Sequence, residues 1–349
     1  MENEEKQHKR RVRYKGKYPK SYKEKYKELQ PEKYADTVAR VIQKGSTPAG
    51  MHISIMVQEI LDVLNISPGE IGLDVTLGYG GHTLEMLQKL NKTGHLYALD
   101  IDPIELPKTK KRLEDLGYGP EHITIQNINF SDVDQVVETE LKFDFVLADL
   151  GVSSMQIDNP ERGFSYKTDS PLDLRMNPSK GITAADRLKK LTQYEIEGML
   201  IENSDEPHAE KISREIMKNM YIGNGIQTTA DLRRVISDAL QFVPESNREY
   251  EIKKSSQRTF QALRIDVNKE YDSLFDFLDK LPEQMASGGR VAILSFHSGE
   301  DRLVKKAFKK FYKDGIYSSI SKEIIRPSDE ECRLNPRAKS TKMRWAIKA

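Results

Sequence analysis

The chain has one cysteine, Cys332, in 349 residues, which excludes an intrachain disulfide framework and a cysteine-rich zinc site. No metal-ligating set stands out, so no metal is assigned. No apolar run approaches the roughly 18–20 residues that span a bilayer. The basic N-terminus is followed by no apolar stretch of the signal-peptide kind, so the chain is expected to be cytoplasmic and away from membranes. No internal repeat is visible. Net charge is nearly absent as well, with 55 Lys and Arg against 54 Asp and Glu. The 37% hydrophobic and 31% charged content suits a globular protein with some polar excess, long enough for one main domain and a sizeable second part.

The near-zero charge hides a local excess. From Lys9 to Lys27 there are ten Lys or Arg and one acid, Glu24, and Tyr14, Tyr18, Tyr22 and Tyr26 recur every fourth residue. With few aliphatic residues, this stretch reads as a solvated tail. It also reads as an arm for nucleic acid, with cations for phosphates and rings for bases. Pro19 argues against one continuous helix.

Residues 33–44 then read as a short helix and Gly45 to Gly50 as a linker, so residues 1–50 form an arm with its connection. From 51 to 155 strands and helices alternate. Ile71 to Val75, His95 to Leu99, Ile123 to Ile125 and Phe143 to Leu147 read as strands. Val57 to Leu64, Leu84 to Leu90 and Pro107 to Leu116 read as helices. Such alternation predicts a mostly parallel, doubly wound α/β sheet. Between 156 and 255 only helices and loops are expected. The α/β pattern resumes over 256–349 with a helix from Phe260 to Leu278. A strand from Arg290 to Ser295 follows a Ser287-Gly288-Gly289 turn, and a last strand runs from about Lys342 to Ile347. The organisation is therefore one Rossmann-like α/β domain with an all-helical insertion.

In open α/β sheets, ligands bind at the carboxyl ends of strands where strand order reverses. The loop Asp74-Val75-Thr76-Leu77-Gly78-Tyr79-Gly80-Gly81-His82 lies at such a place, and its glycines allow close backbone approach. Asp74 could accept a hydrogen bond from a cationic amine, and Asp100, at the tip of the second strand, both hydroxyls of a ribose. A dinucleotide or S-adenosylmethionine would suit this layout. The dinucleotide fingerprint needs a glycine at the sixth position counted from Gly78, where Thr83 stands, and an acid before the loop favours an aminoacyl cofactor. Phe130, after the third strand, could pack on adenine or simply close the core.

Asp149-Leu150-Gly151-Val152-Ser153-Ser154 with Gln156 lies at the fourth strand tip. Further along come Glu161-Arg162-Gly163-Phe164-Ser165, Pro171-Leu172-Asp173-Leu174-Arg175-Met176, Arg258 to Ile265, Ser295-Phe296-His297-Ser298 and Asn335-Pro336-Arg337-Ala338. In these motifs, from about His52 to the C-terminus and in the same order, the chain resembles the bacterial 16S ribosomal RNA cytosine-N4 methyltransferases. The resemblance implies a class I methyltransferase fold with an inserted helical domain. It also implies S-adenosylmethionine held at Gly78, Gly80, Gly81, His82, Asp100, Phe130, Asp149 and Gln156, with 16S ribosomal RNA or the small subunit as partner. A homodimer is compatible with the sequence. Departures are Leu77 and Thr83 in the loop, the absence of a proline after His52, and Gly299 where leucine is expected. The basic arm lies outside the resemblance, which suggests a divergent branch.

Cytosine N4 is a poor nucleophile because its lone pair is delocalised, so an acceptor on the amino group would assist. Asp149 is the candidate, with cofactor binding as its competing role; His297 is a second candidate, as a base or an RNA contact. Aromatic stacking would fall to Phe164, Tyr166 or Phe296, since Val152 stands where some amine methyltransferases carry an aromatic. Arg162, Arg175, Arg258, Arg264 and Arg337 could grip phosphates. Methylation at C5 would need a thiolate adduct, and Cys332 lies in a polar segment far along the chain. An oxidoreductase, a non-catalytic RNA-binding protein and a methyltransferase for another nucleic acid are the rival readings.

Overall fold

The computed structural model describes residues 54–137, 140–223 and 225–349. The basic arm, the helix expected over 33–44, the linker and His52 lie outside the described residues. Among the described residues seven strands form one sheet in the order β3-β2-β1-β4-β5-β7-β6. They are β1 Ile71–Asp74, β2 His95–Leu99, β3 Ile123–Gln126, β4 Phe143–Asp149, β5 Met285–Ser295, β6 Tyr317–Ile320 and β7 Lys342–Lys348. β1 to β5 pair in parallel, and β7 inserts antiparallel between β5 and β6. This is the class I methyltransferase arrangement expected of the sequence, and the order reverses between β1 and β4.

The central strands β4 and β5 are apolar from Phe145 to Ala148 and from Val291 to Leu294 because both faces are covered there. Phe145, Leu147, Ala292 and Leu294 point to one face, against α1 (Val57–Leu64), α2 (Gly81–Leu90) and α3 (Leu106–Asp115). Val146, Ala148, Val291 and Ile293 point to the other, packed with Leu274, Phe277, Val304 and Phe308. The expected Ser287-Gly288-Gly289 turn is a bulge within β5: Phe143 pairs with Met285 and Phe145 with Arg290, while Gly288 takes φ 76°. β6 has no counterpart among the expected strands. Its Tyr-Ser-Ser-Ile sequence has little apolar pattern, and Tyr317 is fixed by packing on Phe308 and Phe311.

After a short α4 (Ser154–Asp158), the chain enters a helical part with a core of its own. That core runs from Leu172 to Leu263, and among the described residues no strand interrupts it, only a Pro171–Thr228 bridge. It holds α5 Ala184–Leu188, α6 Gln193–Ser204, α7 Ala209–Tyr221, α8 Thr229–Ala239 and the long α9 Glu245–Asn268. α9 runs straight through the 255/256 boundary drawn from the sequence. The single helix expected from Phe260 to Leu278 is two, because Lys269 takes a left-handed φ of 51° before α10 (Glu270–Gln284). Asn268 enforces the break: its amide donates to Leu174 O and Arg264 O, both at 2.8 Å, and its Oδ1 accepts the Met176 N–H at 2.7 Å. α11 (Ser298–Lys313) and α12 (Asp329–Leu334) complete the chain.

Gly72 in β1 lies under the Phe145 ring, so that a Cβ there would sit 2.0 Å from Phe145 Cζ. Gly72→Ala should therefore overpack the sheet and cost about 1–3 kcal/mol, read as a lower urea midpoint with an unchanged slope.

Candidate active site

A cavity of about 700 Å³ opens at the carboxyl ends of β1, β2, β4 and β5 and is closed from the other side by the helical part. Asp74, Gly78, Gly80, Gly81, His82, Asp100, Phe130, Asp149, Gln156 and His297 were singled out from the sequence, and all but Asp74 line this cavity. Asp74 lies beneath the loop, 1% exposed. Its Oδ1 accepts the Thr76 N–H at 3.0 Å and its Oδ2 the Thr83 hydroxyl at 2.7 Å. Burial raises its pKa against these hydrogen bonds. Thr83, which breaks the dinucleotide fingerprint, thus serves as a donor to Asp74, and the carboxylate supports the loop from below.

The glycines are set by contact as well as by torsion. Gly80 caps α2 at φ 81°, with Thr109 Cγ2 2.9 Å from where a Cβ would stand, and at Gly81 that space is filled by Ser54 Oγ. Thr109 donates to Gly78 O at 2.7 Å, pinning the loop to α3. Asp100 Oδ2 accepts the Gly78 N–H at 2.7 Å and Oδ1 the Asp102 N–H at 2.8 Å, which orients the carboxylate. Burial pushes its pKa up to about 6 despite those two donors. Phe130 packs edge-on against Phe277 with its centroid 5.6 Å away and still borders the cavity.

Asp149 ends β4 over this loop. Its N–H donates to the Thr76 hydroxyl at 2.6 Å, Oδ2 lies 3.5 Å from His82 Nδ1, and Oδ1 is buried with no partner among the described residues. Burial pushes its pKa up to about 6, opposed by His82 and assisted by Asp74 and Glu300. The other nitrogen of His82, Nε2, lies 2.9 Å from Ile55 O. A carbonyl only accepts, so Nε2 carries a proton and Nδ1 faces Asp149.

Gln156 does not present its amide freely. Its Oε1 accepts the Ser153 N–H in a capping box, and its Nε2 donates to Asp102 Oδ2 at 2.8 Å. Arg162 Nη1 reaches the same oxygen at 2.8 Å, and its Nη2 donates to Arg175 O and Met176 O. Asp102 and Arg162 are 0% and 6% exposed. Sequence reasoning missed Asp102; an acid two residues after Asp100 gives no sign that it will be buried under an arginine sixty positions on.

The other arginines expected to grip phosphate are also engaged: Arg175 with Asp173, Arg258 with Glu206, Arg264 with Glu270 and Arg337 with Asp158, at 2.7–3.0 Å. The structure therefore spends these cations on internal pairs. His297 caps α11, its Nδ1 facing the Glu300 N–H at 3.5 Å and its Nε2 lying 3.0 Å from Glu300 Oε1. Burial alone would raise Glu300, but His297 and then Arg264 outweigh it and hold its pKa below the usual value. Glu270, His297 and Glu300 bring ligand atoms within 4.8 Å of one another, and the Arg264 guanidinium already sits on both Glu270 oxygens. Gly299, a departure from the expected leucine, has a cause: a Cβ there would fall 1.8 Å from Tyr271 Oη. Of the expected stacking residues, Phe164, Tyr166 and Phe296 all line the cavity, Tyr166 packed edge-on against Phe260.

The sequence pattern of the MraW methylase family matches residues 49–349. The chain belongs to this family. Similar proteins include "Ribosomal RNA small subunit methyltransferase H 1" of Lachnoclostridium phytofermentans, 66% identical over 348 residues, covering 100% of this chain and 95% of that protein. A second is "Ribosomal RNA small subunit methyltransferase H 2" of Alkaliphilus metalliredigens, 63% identical over all of both chains. The Koribacter versatilis "Ribosomal RNA small subunit methyltransferase H" is 38% identical and covers 85% of this chain. The matches to the first two of these proteins extend over the positions of the basic arm, which lie outside the family pattern. Among solved structures, an rRNA methylase from Streptococcus thermophilus is 12% identical, covers 84% of this chain and 93% of its own, and has a TM-score of 0.38. At that score the likeness is loose and says nothing about the site.

Arg162→Met should cost about 3–5 kcal/mol in urea unfolding, because it strands the buried Asp102 carboxylate. The double variant Asp102→Leu/Arg162→Met should recover much of that loss; a double variant as unstable as the single would refute the buried-charge explanation.

Proposed function

We propose that this methyltransferase transfers a methyl group from S-adenosylmethionine to the exocyclic N4 of a cytidine in the decoding region of 16S ribosomal RNA. The observation that carries the chemistry is the Asp149 carboxylate. It stands at the β4 tip in a cavity shared by the glycine loop and the helical part, with one oxygen unpartnered among the described residues. The names of the similar proteins support ribosomal RNA of the small subunit as the substrate.

The residues fit the cofactor. The loop glycines Gly78, Gly80 and Gly81 line the cavity, and Asp100 is oriented by two N–H groups with acceptor capacity to spare. The volume lies within the roughly 300–1,000 Å³ of small-ligand sites. Gly78, Gly80, Gly81 and the His82 backbone would hold the aminoacyl end, Asp100 the ribose, and Phe130 the adenine. Gln156 would act through Asp102, shaping the wall. When bound, the cofactor supplies an electrophilic sulfonium methyl.

The chain's own work is placement and proton handling. A cytosine amino group hydrogen-bonded to Asp149 has its lone pair localised on N4, and positive charge that develops there is stabilised by the carboxylate. As N4 took the methyl group, the carbon–sulfur pair would stay with the sulfur of the departing thioether and one N4 proton would pass to Asp149, where His82 Nδ1 lies 3.5 Å from Oδ2. Phe164, Tyr166 and Phe296 bound the space left for the base. His297, the second catalytic candidate, caps α11 through Nδ1 and lies beside the Glu300 carboxylate, while its Nε2 is buried without a hydrogen-bond partner among the described residues. Phe164, Tyr166, Leu174 and Met176, with Phe260, Gln261 and Arg264 of α9, supply the far wall. An oxidoreductase reading has no support in the family.

Incubation with labelled cofactor and small subunits or RNA lacking the modification should yield N4-methylcytidine at one site, and label at another atom or nucleic acid would refute the assignment. Asp149→Asn should lower kcat about 10²–10⁴-fold. Unchanged affinity for S-adenosylhomocysteine would mark Asp149 as the proton acceptor, and a parallel loss of that affinity would mark it as a cofactor ligand. The ionised form is the active one and its pKa is about 6, so kcat/KM should fall toward tenfold per unit as pH drops below that value. A flat profile from pH 7.5 to 5 would exclude the role.

A further inference from the structure

α11 starts inside the cavity and runs out of it. Its N-cap His297 lines the cavity, and the helix continues for 16 residues to Lys313, about 24 Å at 1.5 Å per residue. Val304, Phe308 and Phe311 turn inward. On the opposite side Arg302, Lys305, Lys306, Lys309, Lys310 and Lys313 are all exposed, and spacings of three and four place them on one surface.

The helix's acids do not balance this face. Glu300 is buried against His297, and Asp301 is 2.7 Å from Arg344. Arg302 has Asp205 at 3.8 Å. Among the described residues none of the five lysines has a carboxylate within ion-pair distance. On other helices several cations are paired, Lys108 with Glu105, Lys111 with Asp115, Arg214 with Glu210 and Lys218 with Glu215, at 2.8–3.1 Å, and among the described residues cations without a carboxylate do not gather on one face as they do here. In α11, Lys305, Lys309 and Lys313 repel one another at four-residue spacing, as do Lys306 and Lys310. Lys310 and Lys313 in the last turn suit the negative end of the helix dipole, whereas Lys305 and Lys306, a turn or more earlier, have no such compensation. Tyr312, 52% exposed, stands three residues from Lys309 and seven from Lys305, so the face also carries a ring on which an unpaired base can stack.

We propose that the outer face of α11 is the track for the phosphodiester backbone of the RNA strand flanking the target nucleotide. The proposal rests on the RNA-methylation reading above. The occupant follows from charge and from continuity. A polyanion relieves the lysine repulsion, and a strand that places one base in the cavity leaves past His297, where this face begins. The arginines of the cavity wall are engaged in the pairs already described, Arg337 alone among them keeping a buried nitrogen, Nη1, without a partner among the described residues.

The test compares the triple variant Lys305→Gln/Lys309→Gln/Lys313→Gln with wild type and with Lys89→Gln/Lys110→Gln/Lys111→Gln, which removes the same charge from α2 and α3. RNA affinity is measured from 50 to 200 mM KCl, alongside S-adenosylhomocysteine affinity, melting temperature and kcat at saturating RNA. Each single-strand phosphate contact contributes about 0.7 to the slope of log affinity against log salt. The α11 triple should therefore lose about two from that slope and about tenfold or more in affinity near 100 mM salt. Its cofactor affinity, melting temperature and saturated kcat should match wild type, and the control triple should bind RNA within about twofold of it. An α11 triple whose slope and RNA affinity match wild type, while wild type methylates RNA, would overturn the track and leave the function standing. A wild-type enzyme that places no methyl on RNA would overturn both. Binding of wild type to phosphatidylserine vesicles, lost in the α11 triple while its RNA affinity is intact, would assign the face to a membrane surface instead.

Discussion

The arrangement of the site depends on one buried carboxylate. Asp102 Oδ2 receives both the Gln156 amide and the Arg162 guanidinium, each at 2.8 Å. Asp102 follows β2, Gln156 lies on the helix after β4, and Arg162 opens the path into the helical part. Through its second nitrogen Arg162 holds the carbonyls of Arg175 and Met176, and Met176 in turn is held by Asn268 at the end of α9. Gln156 and Arg162, six residues apart, are thus both fixed to one oxygen of an aspartate more than fifty positions earlier, and Arg162 carries the tie on to the helical part. A buried pair of this kind is weak as a net source of stability. What it fixes is geometry: the helical wall cannot drift from the strand tips without breaking a desolvated ion pair.

The parallel sheet was legible because strands covered on both faces are apolar along most of their length, as Phe145 to Ala148 and Val291 to Leu294 are. The glycine loop, Asp100 and Asp149 were legible because sequence alone places them at strand ends. β6 was not, because Ser318 and Ser319 leave no pattern and Tyr317 is positioned by rings on a different helix. The break at Lys269 was not, because its cause is the Asn268 side chain reaching Leu174, ninety-four positions away. Asp102 and the arginine pairings were hidden for the same reason. Charge type can be read from a sequence, but whether a charge is already spent is decided by its neighbours in space.

That distinction divides the cations of this protein into two groups. The arginines around the cavity are internal fasteners, each held by a carboxylate through directional hydrogen bonds, as suits a planar guanidinium. The lysines of α11 have no carboxylate partner among the described residues, as suits contact with a partner that comes and goes. The acids divide in the same way. Asp74 and Asp102 are structural, and Glu300 is tied to His297, while Asp149 retains an oxygen without a partner among the described residues, next to a histidine whose own proton is directed elsewhere.

The close approach of Gly299 to the Tyr271 hydroxyl has an evolutionary reading. The two positions cannot vary independently: any side chain at 299 collides with the ring, and any smaller residue at 271 opens the space a side chain would need. A lineage moving from this pair to one with a bulky residue at 299 must first shrink position 271 and pass through a cavity-bearing intermediate. The order of those two substitutions is therefore constrained, and homologues should carry the two positions as a linked pair, exchanged together or not at all.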